Sequence, residues 1–453
     1  MSVADTARRV AVVGGGWAGC AAAVELAGRG CEVTLFEAAR TLGGRARGVE
    51  AHGRTLDNGQ HILLGAYRES LKLLRRVGVD PAAALLRLPL QMRYPDTQAG
   101  MHFVAPRLPA PLHMLVALLR ARGLERADKL ALARFNTTAR WMGWQLHNDC
   151  SVAELLHRFD QTERLIRLLW TPLCLAALNT PPERASAKVF LAVLRDSLGA
   201  RRAASDMLLP RLELGALFPT AAARWIERHG GVVRSGAKVT ALAQADGRWQ
   251  LQATGQAVGG DWRGAFDAVV LATPAPQAAA LLRPLPQLAD LAAQLDAFEF
   301  EPIATVYLQY APEVGLALPF CALLDDPAAG RWGQFAFDRG QLDAGQAGLL
   351  SVVISAAGAA AALDQDQLAS STAAQLADAF GRPELKTPLW TRVITEKRAT
   401  FACAPGLVRP PNATALDGLT LAGDYTAGEY PATLESAVQS GLAAAALACT
   451  ARR

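Results

Sequence analysis

Short apolar runs alternate with longer alanine-rich or amphipathic runs along the chain, and residues 10–37 show the pattern most clearly. Residues 10–13 (Val-Ala-Val-Val) form a continuous apolar run, which predicts a strand buried on both faces. Glycines follow at once, and an alanine-rich run over residues 18–29 predicts a helix that ends at Gly30. Residues 31–37 predict a second strand that ends at Glu37. The order strand, helix, strand is typical of the βαβ unit of an α/β fold.

Further strand and helix patterns occur in separate parts of the chain. Strands are predicted at residues 232–234, 238–242, 249–253, 266–274, 303–310, 349–355 and 419–422, and helices at 219–229 and 365–380. A chain of 453 residues is too long for one ordinary core, so two interleaved domains are expected. We assign residues 1–74, 211–275 and 389–453 to a nucleotide-binding domain, and the helical segment 75–210 and the sheet segment 276–388 to a substrate domain.

Composition indicates a globular enzyme and argues against some classes of partner. Half of the residues are hydrophobic and 19% are charged, which excludes a disordered chain. The net charge of +5 is too diffuse to favour nucleic acid, although it is compatible with an anionic membrane surface. The seven cysteines are scattered without a C-x-x-C pair, so we expect reduced, buried thiols in a cytoplasmic protein and neither a metal site nor a disulfide framework. The polar N-terminus does not resemble a signal peptide.

The first glycine cluster predicts a dinucleotide site. Gly14 permits the tight turn, Gly16 lets a pyrophosphate approach the backbone, and Gly19 lets the helix pack close to the strand. Glu37, at the end of the second strand, is placed to bind the ribose hydroxyls of an adenosine. The alternative is a glycine-rich turn in some other α/β unit, because a lone G-x-G-x-x-G motif is weak evidence.

A second glycine pair indicates which dinucleotide binds. Gly43 and Gly44 leave bare amides, and Arg45 supplies a cationic fork for phosphate. The order G-x-G-x-x-G, Glu, G-G-R resembles the FAD-dependent amine oxidase and phytoene desaturase superfamily. The resemblance implies FAD rather than NAD as cofactor. It also implies an α/β fold in which a Rossmann-like FAD-binding domain of the GR2 flavoprotein type is interleaved with an α+β substrate domain.

The same resemblance implies further cofactor contacts. Val239 is the position that would pair its backbone with adenine. Gly423 and Asp424 end a late strand and would contact the ribityl chain or the phosphate. Leu434 opens the last helix, whose N-terminus would face the pyrimidine end of the flavin and favour negative charge on the reduced ring.

Residues 56–69 carry a narrower resemblance. Leu-Asp-Asn-Gly-Gln-His followed by Leu-Gly-Ala-Tyr-Arg-Glu is similar to the hydroxysqualene dehydroxylases of bacterial squalene and hopanoid synthesis. That implies FAD-dependent reduction of hydroxysqualene, a prenyl lipid, with a reductant that the sequence does not identify. His61 is the candidate general acid that protonates the leaving hydroxyl, and Asp57 is a second candidate. The alternative is that both side chains only hold their loop together by hydrogen bonds.

Other activities on the same fold stay open, because a fold alone does not choose among them. Amine oxidases commonly use a lysine beside the flavin, and Lys188 and Lys397 are the candidates here. They also pair two aromatic rings over the flavin, which Tyr425 and Tyr430 could imitate. A carotenoid desaturase is the other enzymatic alternative, and a non-catalytic flavin-binding scaffold is a third class.

The helical segment suggests contact with lipid. An apolar run at residues 112–119 is followed by Arg120, Arg122 and Arg126, which predicts a helix in the interface of a membrane, with the protein on its inner face. The alternative is a core helix of the substrate domain. The aromatic side chains in this segment could line a tunnel for a long hydrocarbon or pack in the core: Trp141, Trp144, Trp170 and Phe190.

Overall fold

A computed structural model describes residues 7–199 and 201–450. Within these residues the strands are β1 (Arg9–Val13), β2 (Glu32–Glu37), β3 (Gly48–Ala51), β4 (Arg54–Asp57), β5 (Leu63–Leu64), β6 (Leu85–Leu88), β7 (Gln91–Arg93), β8 (His102–Val104), β9 (Met207–Pro210), β10 (Val232–Ser235), β11 (Lys238–Ala245), β12 (Arg248–Gly255), β13 (Gly260–Phe266), β14 (Ala268–Leu271), β15 (Phe300–Gln309), β16 (Phe320–Ala322), β17 (Phe335–Asp338), β18 (Leu349–Ile354), β19 (Trp390–Phe401) and β20 (Leu419–Leu421).

The α-helices of the same residues are α1 (Trp17–Gly28), α2 (Arg68–Arg76), α3 (Pro81–Ala84), α4 (Leu112–Arg120), α5 (Arg126–Trp141), α6 (Val152–Arg158), α7 (Glu163–Leu165), α8 (Thr171–Leu178), α9 (Ala187–Ser197), α10 (Arg202–Ser205), α11 (Leu214–Leu217), α12 (Pro219–Arg228), α13 (Ala275–Leu282), α14 (Ala289–Asp296), α15 (Gln365–Phe380) and α16 (Leu434–Thr450).

The nucleotide-binding sheet is parallel and draws its strands from distant parts of the chain. Its order is β10-β2-β1-β14-β20, and every pair in it runs parallel. β1 and β14 lie inside the sheet and are nearly continuous runs of buried Val, Ala and Leu, as a strand covered on both faces requires. The predicted βαβ unit is confirmed, and the α/β class with it. The carboxyl ends of β1, β2, β14 and β20 meet at one edge, where ligands of such sheets bind.

Two helices pack on this sheet at very short range because small residues line their contact. A Cβ atom at Gly19 of α1 would lie 1.8 Å from the carbonyl oxygen of Gly14, so only glycine fits there. A Cβ atom at Gly441 of α16 would lie 2.2 Å from the carbonyl oxygen of Ala18. The last helix of the domain therefore lies directly against the first, above the turn that follows β1.

The second large sheet is antiparallel and has the order β16-β17-β18-β15-β19, with α15 packed on it. The strands predicted at residues 303–310 and 349–355 and the helix predicted at 365–380 are confirmed. This sheet with its helices is an α+β arrangement. The domain boundaries that we assign remain a prediction. The parallel sheet takes its strands only from the three segments given to the nucleotide-binding domain, but β19, which lies in the segment 389–453, pairs with β15 in the antiparallel sheet.

The segment at residues 75–210 differs from its prediction in two respects. It contains four short strands besides its helices, since β6 and β9 pair beside β5, and β7 pairs with β8. These strands are only three or four residues long, which is too short for a periodic signal. Trp141 is 87% exposed, so its suggested role in lining a tunnel is wrong. Trp144 and the packed group of Phe135, Trp170 and Phe190 belong to the core, as the alternative expected.

The cysteines also differ in part from the expectation of buried thiols. Five of the seven are buried, but Cys31 and Cys449 are half-buried, with their Sγ atoms 3.7 Å apart. This pair joins the start of β2 to the end of α16. No helix within residues 7–199 and 201–450 combines the length and the hydrophobicity that crossing a bilayer requires.

Candidate cofactor and substrate site

The turn after β1 forms an open cradle. Gly14 has a φ of +110°, and a Cβ atom there would lie 2.5 Å from the carbonyl oxygen of Ala272, so the turn requires glycine. Gly16 is different. Its φ of −73° suits any residue, and the nearest atom to a Cβ placed there is the Cα of Gly44, at 3.9 Å. The space beside Gly16 is therefore available to a ligand, while the structure around Gly14 is closed.

The second glycine pair lies across this cradle from the first. The N–H of Gly43 donates to the carbonyl oxygen of Gly15 at 2.8 Å, and Gly16 forms a parallel bridge with Gly43. Gly44 has a φ of +61°, and a Cβ atom there would lie 3.2 Å from the Cα of Gly16. The two glycine turns predicted to hold phosphate are thus in contact, at the N-terminus of α1, where the free amides of the first turn favour an anion.

The predicted ribose acid is held in place by the backbone. Glu37 accepts hydrogen bonds from the N–H of Gly15 at 2.6 Å and from the N–H of Ala39 at 2.7 Å. The N–H of Ala237 donates to the carbonyl oxygen of Glu37 at 2.8 Å, which brings the start of β11 to the same place. Val239 follows two residues later, and the pairing of β11 with β12 is irregular immediately after it. The positions predicted for ribose and adenine therefore share one end of the groove.

At the other end of the groove, the predicted arginine and aspartate pair with each other. Arg45 donates to Oδ1 of Asp424 at 2.7 Å and to the carbonyl oxygen of Ala399 at 2.6 Å. Asp424 is buried, and Gly423 before it donates its N–H to Oγ of Ser440 in α16. Leu434 is the first residue of α16 and is half-buried. The structure brings this second group of predicted contacts together at the C-terminal helix.

Among the described residues, three buried polar atoms without a hydrogen-bond partner belong to residues that follow strands of the parallel sheet. In the part of the chain that the structure describes, Nε1 of Trp17, Oγ1 of Thr273 and the hydroxyl of Tyr425 make no hydrogen bond. Trp17 follows β1, Thr273 follows β14 and Tyr425 follows β20, so all three residues come after the carboxyl ends of strands in the parallel sheet. A buried polar atom normally has a partner. The open cradle beside Gly16 and the fixed carboxylate of Glu37 fit a bound dinucleotide.

Asp57 lies in a buried polar network of the loop that follows β4. Its Oδ1 accepts from the N–H of Leu214 at 2.8 Å, and its carbonyl oxygen accepts from the hydroxyl of Tyr307 at 2.8 Å. Burial raises the pKa of the Asp57 carboxyl to about 6, although the charge of Arg339 and the Leu214 amide oppose that shift. These contacts are the ones expected if Asp57 holds the loop, which is the alternative to a direct catalytic role.

Arg339 is a member of this network that sequence reasoning missed. Its side chain is 2% exposed and donates to Oε1 of Gln60 at 3.2 Å and to Oε1 of Gln346 at 3.0 Å. The amide of Gln60 in turn donates to the hydroxyl of Tyr307 at 3.1 Å. The residue directly before His61 is therefore fixed from the side of the antiparallel sheet.

His61 is half-buried at the centre of the loop. Its Nδ1 lies 2.8 Å from the carbonyl oxygen of Gly59, so Nδ1 carries the proton and Nε2 is free to face a ligand. Burial lowers the pKa of His61, and the backbone hydrogen bond to Gly59 only partly offsets that effect. The buried hydroxyl of Thr305 has no partner within residues 7–199 and 201–450 and lies on the same side of Gly59 as the His61 ring.

A small, largely enclosed cavity begins three residues after His61. Its walls are mainly apolar, and its polar groups come from four side chains: Tyr67, Asp196, Tyr430 and Thr433. Tyr67 and Tyr430 pack edge to face, with ring centroids 6.5 Å apart. Tyr425 packs against Phe298 instead. The observed aromatic pair beside α16 is thus not the Tyr425 and Tyr430 pair that the sequence suggested.

Comparison with known proteins gives a consistent result along the whole chain. The family model for flavin containing amine oxidoreductase matches residues 17–449. The chain is 31% identical to a hydroxysqualene dehydroxylase of Rhodopseudomonas palustris (98% of this chain, 99% of the relative) and 25% identical to a zeta-carotene desaturase of Synechocystis sp. (96% of each). A crystal structure of a putative protoporphyrinogen oxidase from Exiguobacterium sp. 255-15 superposes with a TM-score of 0.68 at 19% identity, covering 97% of this chain and 98% of that one.

Proposed function

This chain belongs to the flavin-containing amine oxidoreductases and is an FAD-dependent oxidoreductase, and from that premise we propose that it reduces hydroxysqualene to squalene. The observation that carries the proposal is the full-length similarity to proteins named hydroxysqualene dehydroxylase, which exceeds the similarity to the carotene desaturases. The segment at residues 56–69, which resembles the same family, runs from the end of β4 through His61 and β5 to the start of α2.

The placement of the lysines supports the proposal against an amine oxidase. Lys188 and Lys397 are both exposed, so neither is buried beside the cofactor groove. A carotenoid desaturase remains the second candidate, because the chain is also 25% identical to a zeta-carotene desaturase over 96% of its length.

The chemistry requires a proton, a hydride and a dry site. Hydroxide leaves carbon poorly, so an acid must protonate the hydroxyl of the allylic alcohol as the carbon–oxygen bond breaks and water departs. Reduced FAD supplies the hydride when bound. In this proposal His61 gives the proton from Nε2, Gly59 orients its ring, and the Asp57 network fixes the loop. The apolar walls keep water from recapturing the allylic cation. An external reductant returns two electrons to the flavin.

We expect deuterium to enter the product at the former carbinol carbon. The holoenzyme is reduced with dithionite in deuterated buffer, mixed with hydroxysqualene for a single turnover without air, and the squalene is analysed by mass spectrometry and NMR. One deuterium at that carbon shows net reduction by hydride transfer. The same reaction in ordinary water is the control.

A different product would contradict the proposal. Oxidised enzyme that introduces a double bond into a polyene, together with reduced enzyme that leaves hydroxysqualene unchanged, would show a desaturase. Flavin binding without turnover of either lipid would indicate a protein that only binds flavin.

We also propose that α4 and α5 form a membrane-docking surface, which we call the docking face. Leu112, Leu115 and Leu119 of α4 are 49%, 51% and 65% exposed, and they recur at helical spacing on one side. Leu130 and Trp141 of α5 are 65% and 87% exposed and lie eleven residues apart, hence also on one side. The amine of Lys129 donates to the carbonyl oxygen of Leu119 at 3.0 Å and joins the two helices.

Charge on the docking face complements an anionic leaflet. Four exposed arginines follow or flank the apolar positions: Arg120, Arg122, Arg126 and Arg134. The nearby acid Glu125 is paired with Arg164 at 2.7 Å, which reduces its repulsion of lipid phosphate. An exposed tryptophan beside leucines and arginines is typical of a helix at the membrane interface. The docking face would also bring a water-insoluble substrate to the enzyme.

We expect the protein to float with anionic liposomes and to float less at high salt, because screening weakens the attraction between arginine and lipid. Leu115→Glu should weaken partitioning at least about tenfold, because it removes apolar area and adds a charge. Leu389→Glu is the matched control, since Leu389 is 72% exposed and lies outside α4 and α5, directly before β19 of the antiparallel sheet. Equal losses in the two variants, or no flotation of the wild type, would rule out the docking face.

A further inference from the structure

The cavity beside α16 has a volume of about 30 Å³, so it admits a hydroxyl group but not a hydrocarbon chain, and it has one polar corner. The walls are supplied mainly by Leu64, Ala66, Ala177 and Val193. The corner contains Tyr430, whose hydroxyl donates to Oδ2 of Asp196 at 2.7 Å. Since the only proton of the phenol is directed at the carboxylate, the remaining lone pair of the phenol oxygen is free to accept a hydrogen bond.

Asp196 is kept ionised by its neighbours. Burial acts to raise its pKa, but the hydrogen bonds from Arg195 and Tyr430 outweigh burial and leave the pKa below its usual value. Arg195 contacts both carboxylate oxygens, at 2.7 and 3.2 Å. The same guanidinium donates to the exposed Glu429 at 2.7 Å. The acceptor behind Tyr430 is therefore a carboxylate throughout the neutral pH range.

The phenol of Tyr430 keeps its proton because it is partly buried and because it lies beside the Asp196 carboxylate. Burial and the Asp196 carboxylate both raise the pKa of Tyr430 above its ordinary value. A neutral phenol that gives its proton to a carboxylate becomes a better acceptor, because hydrogen bonds in a chain polarise one another. The phenol oxygen of Tyr430 can thus accept one hydrogen bond from a ligand, which suits an alcohol and gives no gain to a hydrocarbon.

The position of the corner relates it to the cofactor groove. Tyr430 lies four residues before Leu434, and the cavity also touches Thr433, which accepts a hydrogen bond from the N–H of Ser436 at the start of α16. The other wall is formed by Leu64 and Tyr67, which follow His61 in the chain. Arg195 and Asp196 lie in the last turn of α9 of the helical segment, and the ion pair of Arg195 with Glu429 ties that segment to the loop before α16.

We propose that Tyr430, oriented by Asp196, accepts a hydrogen bond from the hydroxyl group of a long isoprenoid alcohol and thereby places its carbon–oxygen bond for cleavage. This inference rests on the proposed function and deepens it by naming the residue that distinguishes the alcohol from its hydrocarbon product. Asp196 is a positioning residue, because it acts through Tyr430. No proton or electron is transferred by either group.

The test compares the binding of two ligands that differ by the hydroxyl. Oxidised holoenzyme, which cannot carry out the reduction, is titrated with hydroxysqualene and with squalene in the same detergent, and the change in the flavin spectrum is recorded. The wild type should prefer the alcohol by about tenfold, the usual worth of one neutral hydrogen bond. Tyr430→Phe should bring the preference close to one and leave the affinity for squalene unchanged.

Tyr310→Phe is the matched control, because Tyr310 is also buried and donates to a backbone carbonyl, that of Leu385, outside the cavity. It should keep the full preference. A Tyr430→Phe variant that still prefers the alcohol, or that loses both ligands equally, overturns the inference while the wild type still reduces hydroxysqualene. A wild type that neither prefers nor reduces hydroxysqualene overturns the proposed function itself.

Discussion

Gly16→Val should yield a folded protein that no longer binds FAD. Gly16 has a φ of −73° with extended ψ, which valine adopts readily, and a Cβ atom there would meet nothing closer than 3.9 Å. The valine side chain would instead fill the space in which a pyrophosphate approaches the amides of α1. We expect the dissociation constant for FAD to rise on the order of 10²-fold or more. The measurement is fluorescence titration of the apoprotein with FAD.

The control separates loss of the cofactor from loss of the fold. Gly358→Val places the same side chain at a glycine that also has open space around it but lies after β18, on the other sheet. The apo forms of both variants should melt close to the wild type, and only Gly16→Val should lose FAD. Full flavin occupancy in Gly16→Val would contradict our assignment of the groove.

His61→Ala should slow product formation by about 10²–10⁴-fold, the usual range for removal of a general acid. The flavin spectrum should hardly change, because His61 is proposed to act on the substrate. Single-turnover rates of reduced wild type and variant with hydroxysqualene provide the measurement. Near-normal turnover by the variant would exclude His61 as the acid.

The pH dependence gives a second, independent test of His61. Burial lowers its pKa, so the protonated form that can act as an acid becomes populated only below the ordinary histidine value of about 6.5. The rate should therefore rise as the pH falls through this range, and His61→Ala should lose that rise. Burial raises the pKa of Asp57 to about 6, so Asp57 titrates in the same pH range as His61. Asp57→Asn is therefore the control, and it should keep the rise in rate at low pH.

The elements that the sequence predicts well are those in which one local pattern determines the outcome. β1, α1 and β2 combine a buried run, an alanine-rich helix and glycines with fixed roles, and their bounds match the prediction to within a residue or two. The adjacency of Gly16 and Gly43 also follows from local motifs, since both turns lie at the edge of one βαβ unit. The contact between these two turns can therefore be inferred from the motifs alone.

The remainder of the site depends on contacts between distant residues that carry no local signal. Arg339 reaches Gln60 from a short turn after β17, and Asp196 reaches Tyr430 from the end of α9. Each is an ordinary charged residue in its own segment. The prediction for Trp141 is wrong for a related reason. An apolar side chain in a helical pattern does not show whether another part of the protein covers that face of the helix.

The interleaving of the two domains also fixes the order in which the nucleotide-binding sheet is completed during protein synthesis. β20 pairs with β14 at the edge of the sheet, yet it is made about 400 residues after β1. At the usual ~5–20 residues per second, the interval lasts roughly 20–80 s. β14 lacks this neighbour while the ~150 residues between it and β20 are made, roughly 7–30 s, and α1 lacks its cover, α16, for the whole interval, so apolar surface stays exposed on the growing chain. β20 and α16 therefore complete the domain that β1 and α1 begin, and until they are made this half of the molecule stays accessible to chaperones.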